Sequence, residues 1–221
     1  MNYLLHIDTA TDIATVAIGG DGVLLAERSS EGARNHASSI NLMIDEVLAD
    51  AGITMQQLAG IAVCSGPGSY TGLRIGMATA KGLCYVLDKP LILNDRLTLM
   101  ANSACKKQPG SEQYVPFIKA RENEYFIGIF DHLGLPLLAP QHMMAADVAA
   151  AVGTTKKTYM ITDVPTSELY DLKVNNDTVD NTIRSYLSAW VAYAYLKYKC
   201  EESVNLSVAE PLYLKQVYTH K

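Results

Sequence analysis

The sequence predicts an α/β protein of two lobes, each a mixed sheet flanked by helices. Three observations carry that prediction. Residues 61–87 read as a buried strand, a tight turn and a long helix; the elements around them run β-β-β-α-β-α-β-α; and a polar stretch at 106–111 precedes a second, shorter run of strand and helix patterns.

Taken in order, residues 3–7, 13–18 and 22–29 read as three strands. They are divided by Asp8-Thr9-Ala10-Thr11-Asp12 and Gly19-Gly20-Asp21-Gly22, so an antiparallel meander is the economical pairing. A helix over 37–50 follows, with Ile40, Ile44, Val47 and Leu48 on one face and Gly52 ending it. Residues 61–64 are a short apolar run, Ser65-Gly66-Pro67-Gly68 turns the chain, and Ser69 sits at the N-cap of a helix whose apolar positions include Leu73, Met77, Cys84 and Leu87. A strand over 90–93 and a helix over 97–105 complete the first lobe.

Lys106-Lys107-Gln108-Pro109-Gly110-Ser111 marks the expected boundary, giving domains 1–105 and 106–221, with the last segments free to return to the first lobe. Beyond it, residues 114–119 and 124–130 read as strands, a helix carries Val148 and Val152, and 158–161 is a further strand. A long helix over 182–200, with Ile183, Leu187 and Trp190, closes the pattern. Its Tyr193, Tyr195 and Tyr198 read as amphipathic packing.

The central helix has an unusual row: Gly72, Gly76 and Ala80 fall at i, i+4 and i+8. A helical Gly costs about 1 kcal/mol against Ala, so this row implies close approach of another backbone, either from the same chain or from a partner's helix. A glycine-rich turn before a helix also suits an anion. The spacing fits neither a Walker loop, since Leu73 follows Gly72, nor Gly-x-Gly-x-x-Gly, whose third Gly would fall at Thr71.

Composition narrows the classes. The 221 residues are 49% hydrophobic and 19% charged, with a net charge of -5, which argues against a chain that holds a polyanion by itself. Four scattered cysteines make no Cys-x-x-Cys pair, so neither a disulfide framework nor a zinc site is indicated and a reducing cytosol is expected. The N-terminus lacks signal-peptide character, and no apolar stretch approaches the ~18 to 20 residues that span a bilayer. Gly-x-Ser-x-Gly is absent, and nothing pairs a His and an Asp with Ser65, Ser69 or Cys64. His36 reads as a capping or packing residue.

The element order matches the ribonuclease-H-like lobe of actin, sugar kinases and heat-shock chaperones, a match of fold alone. More specifically, Ser-Gly-Pro-Gly-Ser-Tyr-Thr-Gly-Leu-Arg-Ile-Gly at 65–76 resembles the signature of the bacterial TsaB (YeaZ) family. The resemblance continues in Ile-Asp-Thr-Ala-Thr at 7–11, in His36 and its helix, in Ala-Arg-Glu-Asn-Glu-Tyr at 120–125 and in Pro-Leu-Tyr-Leu-Lys at 211–215. It spans nearly the full length and is stronger in the first hundred residues.

The resemblance implies a two-lobed actin-like ATPase (ASKHA) fold and a non-catalytic, cytoplasmic scaffold subunit in the machinery that makes threonylcarbamoyladenosine at position 37 of tRNA. It implies pairing with a catalytic TsaD-like subunit and a TsaE-like ATPase, a homodimer when alone, and tRNA contact only through the complex. Cofactors would be ATP or ADP and Mg at the level of the complex, with none bound by this chain alone. The partner interface is expected at Ile40, Met43, Val47, Gly72, Ile75, Gly76 and Thr79, and any nucleotide contact at Asp8, Thr9, Gly68 and Ser69. In that hairpin Ala10 stands where actin-like sites carry a Gly, so hydrogen bonding of Asp8 and Thr9 within their own turn is an equal reading.

The catalytic relatives hold a metal through His-x-x-x-His. The matching region here, Asn94 to Met100, has no histidine, and no two of the five histidines lie four apart, so neither a metal site nor a catalytic residue is expected. Lys119 replaces an Asp common in relatives, which leaves Arg121 and Glu122 without an assigned role. Two other readings stand beside the scaffold: a stand-alone actin-like ATP-dependent phosphotransferase, and a self-associating structural dimer.

Overall fold

The meander forms as its turn residues require. In the computed structural model, which describes residues 1–30, 36–162, 164, 178–180 and 186–215, β1 (Tyr3–Asp8), β2 (Thr15–Gly20) and β3 (Val23–Ser29) pair antiparallel. Asp21 and Gly22 join β2 to β3 with φ of +46° and +82°, the signs a two-residue primed turn needs. Then come α1 (His36–Asp50), β4 (Leu58–Gly66), α2 (Tyr70–Leu87) and β5 (Leu91–Asp95). β4 runs parallel to β1, and β5 parallel to β4, giving the order β3-β2-β1-β4-β5.

Alternation along the strands builds two layers around this sheet. Leu5, Ile7, Val16 and Ile18 share one core with Ile40, Ile44 and Val47 of α1 and Met77 and Ala80 of α2. On the other face, α5 (Leu187–Lys199) buries Trp190 completely. Its indole Nε1 donates to Asn94 Oδ1 at 3.0 Å, and the His6 ring meets it edge-on at 5.1 Å. Val191 takes the space that a side chain at Gly19 would need. Of the helix predicted over 182–200, Thr182 and Ile183 lie outside the described residues.

The second sheet repeats the plan. β6 (Gln113–Arg121), β7 (Glu124–Phe130) and β8 (Pro136–Met144) form an antiparallel meander, and β9 (Thr158–Thr162) and β10 (Thr178–Asp180) add in parallel, in the order β10-β9-β6-β7-β8. α4 (Ala145–Val152) places Val148 and Val152 on Phe117, Ile127 and Met160. β8 escaped the sequence reading because Pro136 and Pro140 interrupt it; both are tolerated on a sheet edge, which is where β8 lies.

The division of the chain differs from the expected one. One unit is Met1–Arg96 with Leu187–Tyr213; the other comprises the described residues of Leu97–Tyr186 with Leu214 and Lys215. The break thus falls at the first residue of α3 (Arg96–Lys107), a helix expected in the first lobe. α3 belongs to the second unit because its contacts lie there: Cys105 Sγ donates to the Asp131 carbonyl, and Tyr114 Oη donates to the Gln108 carbonyl just past its end. Of the polar stretch at 106–111, Lys106 and Lys107 end α3 and residues 108–110 form an exposed turn within that unit.

Candidate functional site

The glycine loop and the first hairpin close on each other. Ser69 caps α2 as predicted, its Oγ accepting from Gly72 N at 3.2 Å. Its own backbone N–H donates to the Ala10 carbonyl at 2.8 Å, while Ala10 N–H donates to Asp8 Oδ1 at 2.8 Å and Thr9 Oγ1 donates to the Gly72 carbonyl at 2.7 Å. A Cβ at Gly68 would fall within 3.0 Å of the Ala10 carbonyl oxygen, at Gly72 of the Thr9 carbonyl oxygen, and at Gly76 of Thr9 Oγ1. The bare ridge is where α2 seats on its own β1 hairpin.

Two expectations are corrected by this seam. Gly72 and Gly76 are buried against Thr9 and Ile7 of the same chain, so they do not face a partner. For Asp8, Thr9, Gly68 and Ser69, the residues present do not fit a phosphate: the Ala10 methyl and carbonyl stand against Gly68, and the N–H groups of Ala10 and Ser69 already have acceptors. Asp8 serves its own turn.

Three more interface expectations fail for the same kind of reason. Ile40, Met43 and Val47 are core residues of their own unit, at 2%, 6% and 0% exposure. Ile75 and Thr79 remain, half-buried at the border of the outward face of α2. That face carries Thr71, Ala78, Gly82, Tyr85 and Val86, the last two 82% and 79% exposed. Among the described residues, nothing lies within 4 Å of a Cβ added at Gly82. On α1, Leu42 is 61% exposed, and Asn41 and Asp45 share its side. The row Thr71, Ile75, Ala78, Gly82 has helical spacing in the sequence, but periodicity alone does not say which of the two rows turns inward.

Sequence reasoning also missed an aromatic and basic cluster at the start of α2. The chain after α5 runs back over the unit: Leu212 N–H donates to the Ser65 carbonyl at 2.8 Å, and Lys81 Nζ donates to the Ala209 carbonyl at 3.0 Å. This strap brings the Tyr213 ring to 4.9 Å from Tyr70. Arg74 lies 4.3 Å over the Tyr70 ring, and its Nε donates to Tyr213 Oη at 3.2 Å. Beside the cluster is a groove of about 450 Å³ with Met77, Ala78 and Pro211 along it and Arg74, Lys81 and Glu210 at its rim. The sequence signal was Pro-Leu-Tyr at 211–213, too apolar for a loose tail.

Nucleophiles and bases are not assembled into a reactive set among the described residues. Burial pushes the Cys84 thiol up to about 12 and holds Cys64 well above the ordinary thiol range. Ser65 Oγ donates to the Asn94 carbonyl. His36 is buried, with Nε2 donating to the Thr11 carbonyl at 2.9 Å. Among the described residues, no three His, Cys, Asp or Glu side chains come together as a metal site would require, and no helix is long and apolar enough to cross a membrane. In the second unit Glu124 accepts from Lys215 Nζ and from His142 Nε2, and these two bonds, Lys215 first, lower its pKa. Arg121 ends β6 and Glu122 lies in the β6–β7 turn.

A meander followed by parallel strands, twice over, with a glycine-seated helix on the first sheet, defines the class: an actin-like α/β fold. The family profile described as TsaD, tRNA N6-adenosine threonylcarbamoyltransferase, matches residues 25–171. The chain is 38% identical over 125 residues to the tRNA threonylcarbamoyladenosine biosynthesis protein TsaB of Haemophilus influenzae, covering 56% of this chain and 51% of that protein. It is 31% identical over 148 residues to TsaB of Bacillus subtilis, covering 65% and 63%. The structure of YeaZ from Pseudomonas aeruginosa superposes with a TM-score of 0.79 at 25% identity, over 97% of this chain and 100% of that one. The chain therefore belongs to the TsaB (YeaZ) family, related to TsaD. The matches span about half to two thirds of the curated relatives' length.

Proposed function

We propose that this chain is a non-catalytic accessory subunit of the machinery that makes threonylcarbamoyladenosine at position 37 of tRNA. It pairs with a TsaD-like catalytic subunit, is joined by a TsaE-like ATPase, meets tRNA only through the complex, and self-associates when alone. ATP or ADP and Mg act at the level of the complex, in the cytoplasm. The observation that carries this reading is the outward side of α2, apolar, small and covered by nothing in its own unit around Gly82, in a chain of this family. The seam at Ala10 weighs against the phosphotransferase reading, which needs room for a phosphate between the hairpin and the glycine loop.

Co-purification with the TsaD-type subunit of the same cell tests it. A stoichiometric complex is expected, lost on Ala78→Arg with no change in melting temperature, because Ala78 is exposed. Absence of a complex with the wild-type chain, or retention of it by Ala78→Arg, overturns the reading. Turnover of Mg-ATP on a small substrate by the isolated chain would favour the phosphotransferase.

A further inference from the structure

Lysines gather at one end of the second unit. Lys106 and Lys107 close α3, Lys156 and Lys157 stand just before β9, and all four are exposed. Backbone and side-chain ties bring the two pairs, distant in the chain, to the same end of the sheet. Tyr114 Oη donates to the Gln108 carbonyl at 2.7 Å, which holds the end of α3 at the start of β6. The N–H groups of Glu112 and Gln113 donate to the Lys157 carbonyl at 2.9 and 3.2 Å, which holds the second pair there too. The β7–β8 turn closes the same end, since Phe130 pairs with Tyr114 and Cys105 Sγ donates to the Asp131 carbonyl.

The acids within these segments are engaged with backbone. Glu112 Oε2 accepts the Lys157 N–H at 2.8 Å, and Asp131 Oδ1 accepts the N–H groups of Leu133 and Leu135 at 2.8 and 2.9 Å. Four ammonium groups facing two carboxylates leave an excess of positive charge here, in a chain whose net charge is -5. The macrodipole of α3 accounts for cations in its last turn. It does not account for Lys156 and Lys157, which lie beyond the end of α4 at Val152, past the reach of a helix terminus. A local basic surface of this kind suits a polyanion. Lys supplies point charges without a planar fork, and these segments hold no Tyr, Phe or Trp to stack on a base, so contact falls on phosphate and not on base edges.

We propose that Lys106, Lys107, Lys156 and Lys157 hold the phosphate backbone of tRNA when the chain is part of its complex. The inference rests on the functional reading above and adds the surface through which this chain meets the RNA. The charges are few, so the chain alone holds RNA weakly and the contact counts only beside the other subunits.

The test uses the complex with the TsaD-type subunit and an unmodified tRNA transcript carrying adenosine 37, with binding measured over a salt series. Lys106→Gln with Lys107→Gln, and separately Lys156→Gln with Lys157→Gln, are each expected to weaken binding about three- to tenfold and to lower the slope of log K against log salt by about 1 to 2. Lys119→Gln with Lys199→Gln removes the same charge elsewhere and should stay within about twofold of wild type. Phosphate contacts carry no base information, so the loss should be equal for a transcript of unrelated anticodon-loop sequence. These positions are exposed, so unchanged melting temperatures are expected. Wild-type affinity and salt slope in either lysine pair, an equal loss in the control pair, or a loss confined to one transcript each overturn the proposal. So does loss of the TsaD-type subunit by the lysine variants with RNA binding per complex unchanged, which assigns the lysines to a protein partner. A wild-type chain that forms no complex overturns the functional reading, whereas a complex whose lysine variants bind tRNA as the wild type does overturns only this inference.

Discussion

At the scale of single residues, the glycines of α2 separate into two kinds that composition cannot distinguish. Gly72 and Gly76 face the Thr9 carbonyl and hydroxyl, and Gly82 faces nothing among the described residues. Gly72→Ala and Gly76→Ala are each expected to lower stability by about 2–4 kcal/mol, since backbone or a buried hydroxyl must move. Gly82→Ala should raise it by about 0.5–1 kcal/mol through helix propensity; urea titration of the three variants checks the signs. That a triple-Gly helix needs a reason was legible in the letters. Which side supplies the reason was not, because both rows have helical spacing.

His6 gives the second residue-scale prediction. It is fully buried against Trp190, and burial lowers its pKa from 6.5 to about 4. Its Nδ1 donates to the Leu4 carbonyl, and Nε2 has no partner among the described residues. Because the folded pKa lies below the unfolded one, the unfolded chain binds the extra proton between those values, so stability rises with pH there. The contribution is complete above about pH 6.5 and is lost as pH falls through about 4, on the order of 3 kcal/mol in all. Replacing His6 by Leu should flatten that part of the stability curve; an unchanged slope between pH 4 and 6.5 would show that the proton goes elsewhere.

At the scale of elements, edges explain what the sequence reading caught and missed. β5 is an edge strand, and its outer carbonyls are covered: Leu91 by Val204 N–H and Leu93 by Lys197 Nζ. Lys197 is therefore half-buried along a helix that reads as simply amphipathic. β8 was missed for the converse reason, since Pro136 and Pro140 are penalised by any rule that does not know the strand is outermost. The strap yields a prediction at this level. Its anchors include Leu212 N–H, the Ala209 carbonyl held by Lys81 Nζ, Ala209 in the core, and Tyr213 through its ring and its bond from Arg74, with the groove left beside them. Tyr213→Ala should cost less than about 1 kcal/mol in global stability while raising amide exchange at residues 209–213; protection equal to wild type would mean the ring is not an anchor.

At the scale of the molecule, the division of the chain was the least legible feature. Pro and Gly mark turns, and a turn at 108–110 is present, but a change of core is decided by long-range burial that short windows do not contain. The first unit takes Leu187–Tyr213 from far along the chain, and without it the sheet face at His6 and Gly19, which Trp190 and Val191 cover, is bare. A fragment ending at residue 105 is therefore expected to be insoluble or molten, whereas residues 1–96 joined by a flexible linker to 187–213 should fold; heteronuclear spectra of the two distinguish them. The strand plan itself was readable in the first unit, where turns and apolar runs agree, and only half readable in the second.

The seating of α2 has a consequence for how such a chain changes over time. One side of the helix has no room for a Cβ at Gly72 or Gly76, while about a third of a turn around the cylinder, at Gly82, there is open space. Mutation can therefore redraw whom the molecule associates with, step by small step, without ever risking its ability to fold. A helix mounted in this way lets recognition wander while architecture stands still.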